Sequence, residues 1–235
     1  MKSLLKWLLF NMVVGKVIIK PLLTAHTILY RFIGVYASII NGRVHPKHRI
    51  INYSKWFVDN TESSWTVLDI GCGSGMVSRE LAKKVRLVYG LDWYSQSIRS
   101  ELEYNKCKHI RYILADATQY NYSKLEKIDC VVLSNVLEHI LDRGGFLSRL
   151  MKTIRWNNSK RILIRVPMLE RGWEVLYKKE LGLEYRLDDT HKIEYTFKQL
   201  EDELLQASIE IVSFEIRFGE IYAVCNGLNN VKEVK

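Results

Sequence analysis

A short apolar run that ends in three alternating glycines constrains this chain more than any other feature. The run is VLDIGCGSG, residues 67–75. Its apolar half predicts a buried strand, and the residues that follow predict a helix over 76–84. Gly71, Gly73 and Gly75 allow left-handed dihedrals and let the backbone approach a ligand closely. The run therefore predicts a strand, a turn and a helix that bind a ligand at the turn, with Asp69 just before it.

Acidic residues follow at the ends of the next two predicted strands. Residues 86–92 end in Asp92, and residues 110–115 are followed by Asp116. An acid at the end of the second strand is placed to accept both hydroxyls of a ribose. Trp93 is placed to lie against an adenine, and Asp116 to accept from its exocyclic amine.

A fourth predicted strand, residues 128–133, leads into Ser134 and Asn135. In an open parallel sheet, ligands bind at the edge where the strands end. The sequence therefore predicts that these two residues share one sheet edge with the glycine turn and the acids.

Together these runs resemble the class I S-adenosylmethionine-dependent methyltransferases. The resemblance rests on VLDIGCGSG, YGLDW, ILADA and IDCVVLSNVLEHI, and it covers roughly residues 64–228. The Gly-x-Gly-x-Gly spacing differs from the Gly-x-Gly-x-x-Gly of dinucleotide sites, because Met76 stands at the last position. The resemblance implies an α/β, Rossmann-like sheet that is mostly parallel with an antiparallel last strand and has helices on both faces.

The resemblance also implies S-adenosylmethionine as cofactor and assigns residues to its parts. The methionine part would be surrounded by Asp69, Gly71, Cys72, Gly73 and Gly75. The ribose and adenine would be held by Asp92, Trp93, Asp116 and Ala117, and the sulfonium side would be flanked by Ser134 and Asn135.

The four cysteines show neither paired spacing nor histidine spacing typical of zinc. We therefore expect reduced thiols in a reducing compartment, no disulfide and no metal.

The N-terminal segment, residues 1–42, is predicted to form a helical appendage to a methyltransferase domain at residues 43–235. Residues 1–59 hold nine Lys/Arg and one acid, so most of the net charge of +9 lies there. On a helix, Lys2, Lys6, Lys16, Lys20 and Arg31 fall in a narrow wedge opposite a broad apolar face. The uncharged runs of the N-terminal segment are shorter than the roughly 20 residues that a membrane-spanning helix needs. Pro21 is expected to start a second helix.

This pattern predicts attachment to an anionic membrane surface. Packing on the domain, or a dimer interface, is the alternative for the same helices. The oligomeric state stays open.

The second half predicts a helix over 144–156, a strand over 161–167, a helix with a capping box from Thr196, and a hairpin of strands 209–217 and 221–226. Residues 168–195 are too long for a plain connection, which indicates a lid or substrate loop. Methyl transfer to a hydroxyl requires a proton acceptor, and His191 and His139 are the candidates. Glu138, Asp188 or Asp189 would orient one of them.

The leading hypothesis is an O-methyltransferase for a small or lipid-linked, glycan-type acceptor at the inner face of the membrane, in the cytoplasm. The alternatives are a lipid or quinone methyltransferase and a non-catalytic, membrane-tethered partner that binds the cofactor. Nucleic acid is not expected, because residues 134–137 lack the (Asp/Asn)-Pro-Pro-aromatic run of nucleic-acid amine methyltransferases.

Overall fold

The computed structural model describes residues 12–94 and 107–228. Lys2 and Lys6 of the predicted cationic wedge lie outside these ranges. Within them, seven strands form one sheet in the order β3-β2-β1-β4-β5-β7-β6. The strands are β1 Thr66–Ile70, β2 Leu87–Asp92, β3 Ile110–Leu114, β4 Ile128–Ser134, β5 Trp156–Pro167, β6 Ile209–Arg217 and β7 Glu220–Gly227.

The central strands are buried along their whole length, as expected of parallel strands covered on both faces. β1 pairs in parallel with β2 and β4, so these three strands end at the same sheet edge. β5 and β6 both pair antiparallel with β7. The Rossmann-like, mostly parallel sheet with an antiparallel last strand is confirmed.

The helices are α1 Met12–Ile40, α2 Lys47–Ile51, α3 Tyr53–Asp59, α4 Met76–Leu81, α5 Arg143–Thr153, α6 Trp173–Glu180 and α7 Phe197–Gln206. α3 packs on α4, and α5 packs on α7. α7 begins at the predicted capping box, in which Thr196 and Gln199 satisfy each other's backbone N–H groups.

The chain divides into two compact units, and one of them is discontinuous. The first holds residues 1–51 and 169–189, and the second holds residues 52–168 and 190–235. The whole sheet lies in the second unit. The first unit is therefore larger than the predicted appendage, because it includes part of the predicted lid segment.

The expectation that Pro21 starts a second helix is wrong, since α1 runs unbroken from Met12 to Ile40 with Pro21 inside it. Proline removes one hydrogen bond, to the carbonyl four residues earlier, but every other residue adds one as the helix propagates. The uninterrupted helix is long and apolar enough, by length and composition alone, to cross a membrane. Most of its large apolar side chains are exposed.

Two contacts tie α1 to the segment after β5 within the first unit. Arg31 forms an ion pair with Asp189 at 2.6 Å, and the Nδ1 atom of His26 lies 3.1 Å from the Nζ atom of Lys178. Residues 169–189, which belong to the predicted lid or substrate loop, include α6 and a 3₁₀ turn at Leu169–Arg171.

Candidate active site

A cavity of about 830 Å³ lies at the edge of the sheet where β1, β2 and β4 end. Its volume suits a small-molecule ligand. Seven of the predicted site residues line it, namely Gly71, Asp92, Trp93, Asp116, Ala117, Asn135 and His139. The lining does not include the other six, Asp69, Cys72, Gly73, Gly75, Ser134 and His191.

Two glycines of the turn differ in the room they leave for a side chain. Gly71 has φ +68°, and a Cβ there would lie 2.6 Å from the Cγ2 atom of Val136. Gly73 has φ +53°, but a Cβ at that position would meet no other atom within 4 Å. Thus Gly71 is required by packing and conformation, whereas Gly73 leaves open space beside the turn.

Asp92 stabilises the turn and faces the cavity. One carboxylate oxygen accepts from the N–H of Gly73 and the other from the N–H of Tyr94, both at 2.8 Å. A carboxylate has about four acceptor positions, so these bonds leave capacity for two ligand hydroxyls. These bonds hold the side chain in the cavity wall, and its role in ribose binding stays a prediction.

The adenine end of the predicted site lies after β3. The Oδ1 atom of Asp116 accepts from the N–H and the hydroxyl of Thr118, at 2.7 and 2.8 Å. These bonds fix the carboxylate in an Asx turn. Ala117 and Trp93 also line the cavity, and Trp93 is 76% exposed.

Asp69 is fully buried beneath the turn and accepts a 2.6 Å hydrogen bond from the hydroxyl of Ser78. Burial raises the pKa of Asp69 to about 7, because desolvation disfavours the charged carboxylate. Asp69 therefore supports the site by joining the end of β1 to Ser78 of α4.

The turn after β4 holds a polar atom in need of a partner. Asn135 has φ +56°, and its buried Oδ1 atom has no hydrogen-bond partner among the described residues. Asparagine tolerates the left-handed region better than most residues. Ser134 lies beside Asn135, and its hydroxyl accepts from Arg165 at 3.3 Å.

The two predicted bases lie side by side at one end of the site. The rings of His139 and His191 are 4.9 Å apart and nearly perpendicular. The N–H of Lys192 donates to the carbonyl of Glu138 at 2.6 Å, which brings residues 190–192 to the turn after β4. Thr190 and Lys192 join His139 in the cavity wall.

Two groups that the sequence analysis did not name contact the histidines. The Nδ1 atom of His191 lies 3.2 Å from a carboxylate oxygen of Glu194, and the Nδ1 atom of His139 lies 3.0 Å from the hydroxyl of Thr190. Asp189 instead pairs with Arg31. Sequence reasoning missed Glu194, Thr190 and Lys192, although the position of Glu194 three residues after His191 was a local signal.

Glu138 is buried behind His139, and neither carboxylate oxygen has a hydrogen-bond partner among the described residues. Burial raises the pKa of Glu138 to about 8. One ligand atom from each of Glu138, His139 and His191 lies within 4.8 Å of the other two. This set has the composition and spacing to hold a metal ion.

Comparison with known proteins agrees with the fold. Residues 68–157 match a family described as a methyltransferase domain. A ubiquinone biosynthesis O-methyltransferase from Bradyrhizobium diazoefficiens is 30% identical over 52% of this chain and 46% of its own length. A protein of the same name from Caulobacter vibrioides is 29% identical over 69% of this chain and 65% of its own length.

The chain thus spans about half the length of several curated relatives that it matches. Among solved structures, magnesium protoporphyrin IX methyltransferase from Synechocystis, crystallised with bound SAH, superposes with a TM-score of 0.57. It is 18% identical, and the match covers 77% of this chain and 83% of that one. At this identity the likeness concerns the fold.

Proposed function

Because this chain carries a class I S-adenosylmethionine-dependent methyltransferase domain, we propose that it transfers a methyl group to a hydroxyl of a small, apolar acceptor. The observation that carries the proposal is one cavity with two chemically different ends. Asp92 and Asp116 lie toward one end, and His139, Thr190 and Lys192 form the other.

The residues at the first end fit the cofactor. Asp92 retains acceptor capacity for ribose hydroxyls, Asp116 offers a carboxylate to an adenine amine, and the buried Oδ1 atom of Asn135 needs a donor. Gly73 leaves open space beside the turn. When bound, S-adenosylmethionine supplies an electrophilic methyl group on a positively charged sulfur.

The residues at the second end would position the acceptor. His139 is exposed, and Thr190 and Lys192 stand beside it in the wall. Holding the acceptor oxygen in line with the methyl group lowers the barrier by orientation alone. A hydroxyl must also lose its proton, and this polar end is where that proton would leave.

The rest of the wall favours a ring-bearing or lipid-like acceptor over a sugar. It is largely apolar, with Ile70, Leu91, Val136, Ile140 and Phe146 among its members. The curated relatives are named for ubiquinone biosynthesis and O-methylation. We therefore favour a phenolic hydroxyl on a lipid-soluble, quinone-type precursor over the glycan-type acceptor.

The test is methyl transfer by the purified full-length protein. It would be incubated with S-adenosylmethionine carrying an isotopic methyl label and, separately, with an isoprenoid-tailed phenol, a lipid-linked sugar or no acceptor. We expect labelled ether product from the phenol, detected by mass spectrometry. Label on the sugar alone would show that the acceptor is of the glycan type and not a phenol. Cofactor binding without turnover on these acceptors or on membrane extract would favour the non-catalytic alternative.

We also propose that α1 lies on an anionic membrane surface at the cytoplasmic side. Lys20 and Arg31 are eleven positions apart, which is about 17 Å along a helix. A hydrocarbon core of about 30 Å would have to bury at least one of these cations if the helix crossed it. Lying flat keeps the cations at headgroup level and the apolar side chains below them.

A further inference from the structure

We propose that Glu138, His139 and His191 bind a divalent transition-metal ion at the acceptor end of the cavity. The inference deepens the proposed function and rests on it for the role of the ion, but the site itself stands on geometry. The three ligand atoms lie within 4.8 Å of one another. Atoms about 2 Å from one ion in tetrahedral positions lie some 3.3 Å apart, so modest side-chain movement closes the site.

Among the described residues, no hydrogen bond accounts for the buried Glu138 carboxylate. Its side chain is fully buried, and both oxygens lack hydrogen-bond partners there. An unpartnered buried carboxylate is costly, because desolvation is not offset by any bond. A bound cation would supply the missing partner, and the buried position would keep water from competing with it.

The contacts of the two imidazoles favour ligation through the Nε2 atoms. Nδ1 of His191 lies 3.2 Å from the Glu194 carboxylate, which is itself buried. If Glu194 is ionised, its carboxylate can only accept, and this bond then places the imidazole proton on Nδ1 and the lone pair on Nε2. A histidine oriented by a carboxylate in this way is a common arrangement around metal ions. Thr190 has the corresponding position at Nδ1 of His139.

The donor set indicates the class of ion. Two imidazoles and one carboxylate suit zinc, iron(II), cobalt or nickel, whereas magnesium prefers an all-oxygen shell. Three protein ligands also leave a coordination position for a further oxygen.

His139 lies in the cavity wall, so the open position would face the acceptor. An acceptor hydroxyl bound there would become more acidic and release its proton to water. The two histidines would then act as ligands, in place of the predicted role as bases.

The test measures metal binding directly on the purified full-length protein after treatment with a chelator. We expect Zn²⁺ titration by calorimetry to give one site per chain, and Co²⁺ to give the visible absorption of a nitrogen- and oxygen-bound ion. Glu138→Gln keeps the volume and removes the charge, so it should abolish this binding. Glu194→Gln should weaken it by about 10–100-fold, as loss of a partner to a ligand does elsewhere.

His109→Gln is the matched control, because His109 is exposed and its Nδ1 atom contacts the Arg86 carbonyl. It should bind both ions as the unmodified protein does. Circular dichroism would establish that each variant is folded. Equal binding by folded Glu138→Gln and His139→Ala variants would overturn the site, as would tight binding of Mg²⁺ with none of Zn²⁺ or Co²⁺.

Methyl-transfer measurements distinguish a failure of the metal role from a failure of the proposed methyltransferase function. If the chelated protein transfers methyl groups at full rate and Zn²⁺ or Co²⁺ changes nothing, the metal role is wrong while the methyltransferase stands. If Zn²⁺ binds at Glu138 but none of the offered acceptors or membrane extract is methylated, the site stands and the proposed function fails.

Discussion

At the scale of single residues, Asp92 is expected to dominate ribose binding. Asp92→Ala removes the acceptor for two hydroxyls and for the N–H of Gly73. Affinity for S-adenosylmethionine should fall by roughly 1–3 kcal/mol, measured by calorimetry. Asp59→Ala is the control, since Asp59 lies on α3 and pairs with Lys55. Equal affinities of the two variants would remove Asp92 from the site.

Asp69 should make the stability of the cofactor-free protein depend on pH. Its pKa is about 7 in the folded chain and near 3.8 when unfolded, so the folded state holds the proton more tightly. The contribution of Asp69 to the free energy of unfolding is then fully present below pH 3.8, and it is lost as the pH rises toward 7. The loss amounts to roughly 4 kcal/mol at most.

Asp69→Asn keeps the shape and an acceptor for Ser78 but does not titrate. Its free energy of unfolding, from urea titrations between pH 4 and 8, should therefore change less than that of the unmodified protein. Asp59→Asn provides the comparison for an exposed acid. Parallel pH profiles for the Asp69→Asn variant and the unmodified protein would mean that Asp69 is ionised throughout.

Part of the cavity lining could be predicted from the sequence, because several of its residues lie at strand ends. Asp92 ends β2, Asp116 lies two residues after β3, and Asn135 directly follows β4. Parallel strands that pair side by side bring such residues to one edge. Thr190, Lys192 and Glu194 were not predictable in this way. They reach the site through the Lys192–Glu138 backbone bond, which joins positions far apart in the chain and leaves no periodic signal.

At the scale of elements, the turn after β1 should tolerate alanine unevenly. Gly71→Ala would be destabilised by a positive φ and by a Cβ 2.6 Å from Val136. Gly73→Ala would be destabilised by its positive φ alone. Backbone strain of this kind costs about 1–3 kcal/mol. Thermal unfolding without cofactor should show the larger loss for Gly71→Ala.

The steric part of that loss can be isolated. Adding Val136→Ala to Gly71→Ala removes the side chain that the new Cβ would meet. The double variant should therefore lose less stability than the two single losses added together. Simple additivity would show that Val136 does not restrict the turn.

Elements with one strong signal were predicted well, and those with competing signals were not. β1, β2 and β4 are mostly apolar runs that are buried except at Ser134, so their bounds were predicted to within about two residues. In α1 the apolar periodicity continues on both sides of Pro21, and it outweighed the local rule that proline begins a helix. A single residue could not reveal which of the two effects would win.

At the scale of the whole molecule, the charge distribution predicts salt-sensitive membrane binding. Full-length protein should co-sediment with anionic vesicles, less so at high salt, because screening weakens the cationic contribution but not the apolar one. Lys16→Glu with Lys20→Glu should reduce binding strongly. Lys124→Glu with Lys127→Glu changes the charge equally on exposed residues of the second unit and should have little effect.

Alkaline extraction of the bound vesicles would distinguish surface attachment from a spanning helix, since only the former is released. Full-length protein that ignores anionic vesicles would contradict the membrane proposal. α1 would then be expected to serve in packing or in a dimer. The sequence showed that this segment is apolar and cationic. It did not show that residues 169–189 belong to the same compact unit, because the two segments are far apart in the chain.

Because the first unit is discontinuous, residues of the two units are direct neighbours in the chain where the first unit ends, at Asp189. Asp189, which is paired with Arg31 of α1, precedes Thr190, which contacts His139 in the cavity wall. One peptide bond therefore separates a residue anchored to the apolar helix from a residue that orients a candidate ligand.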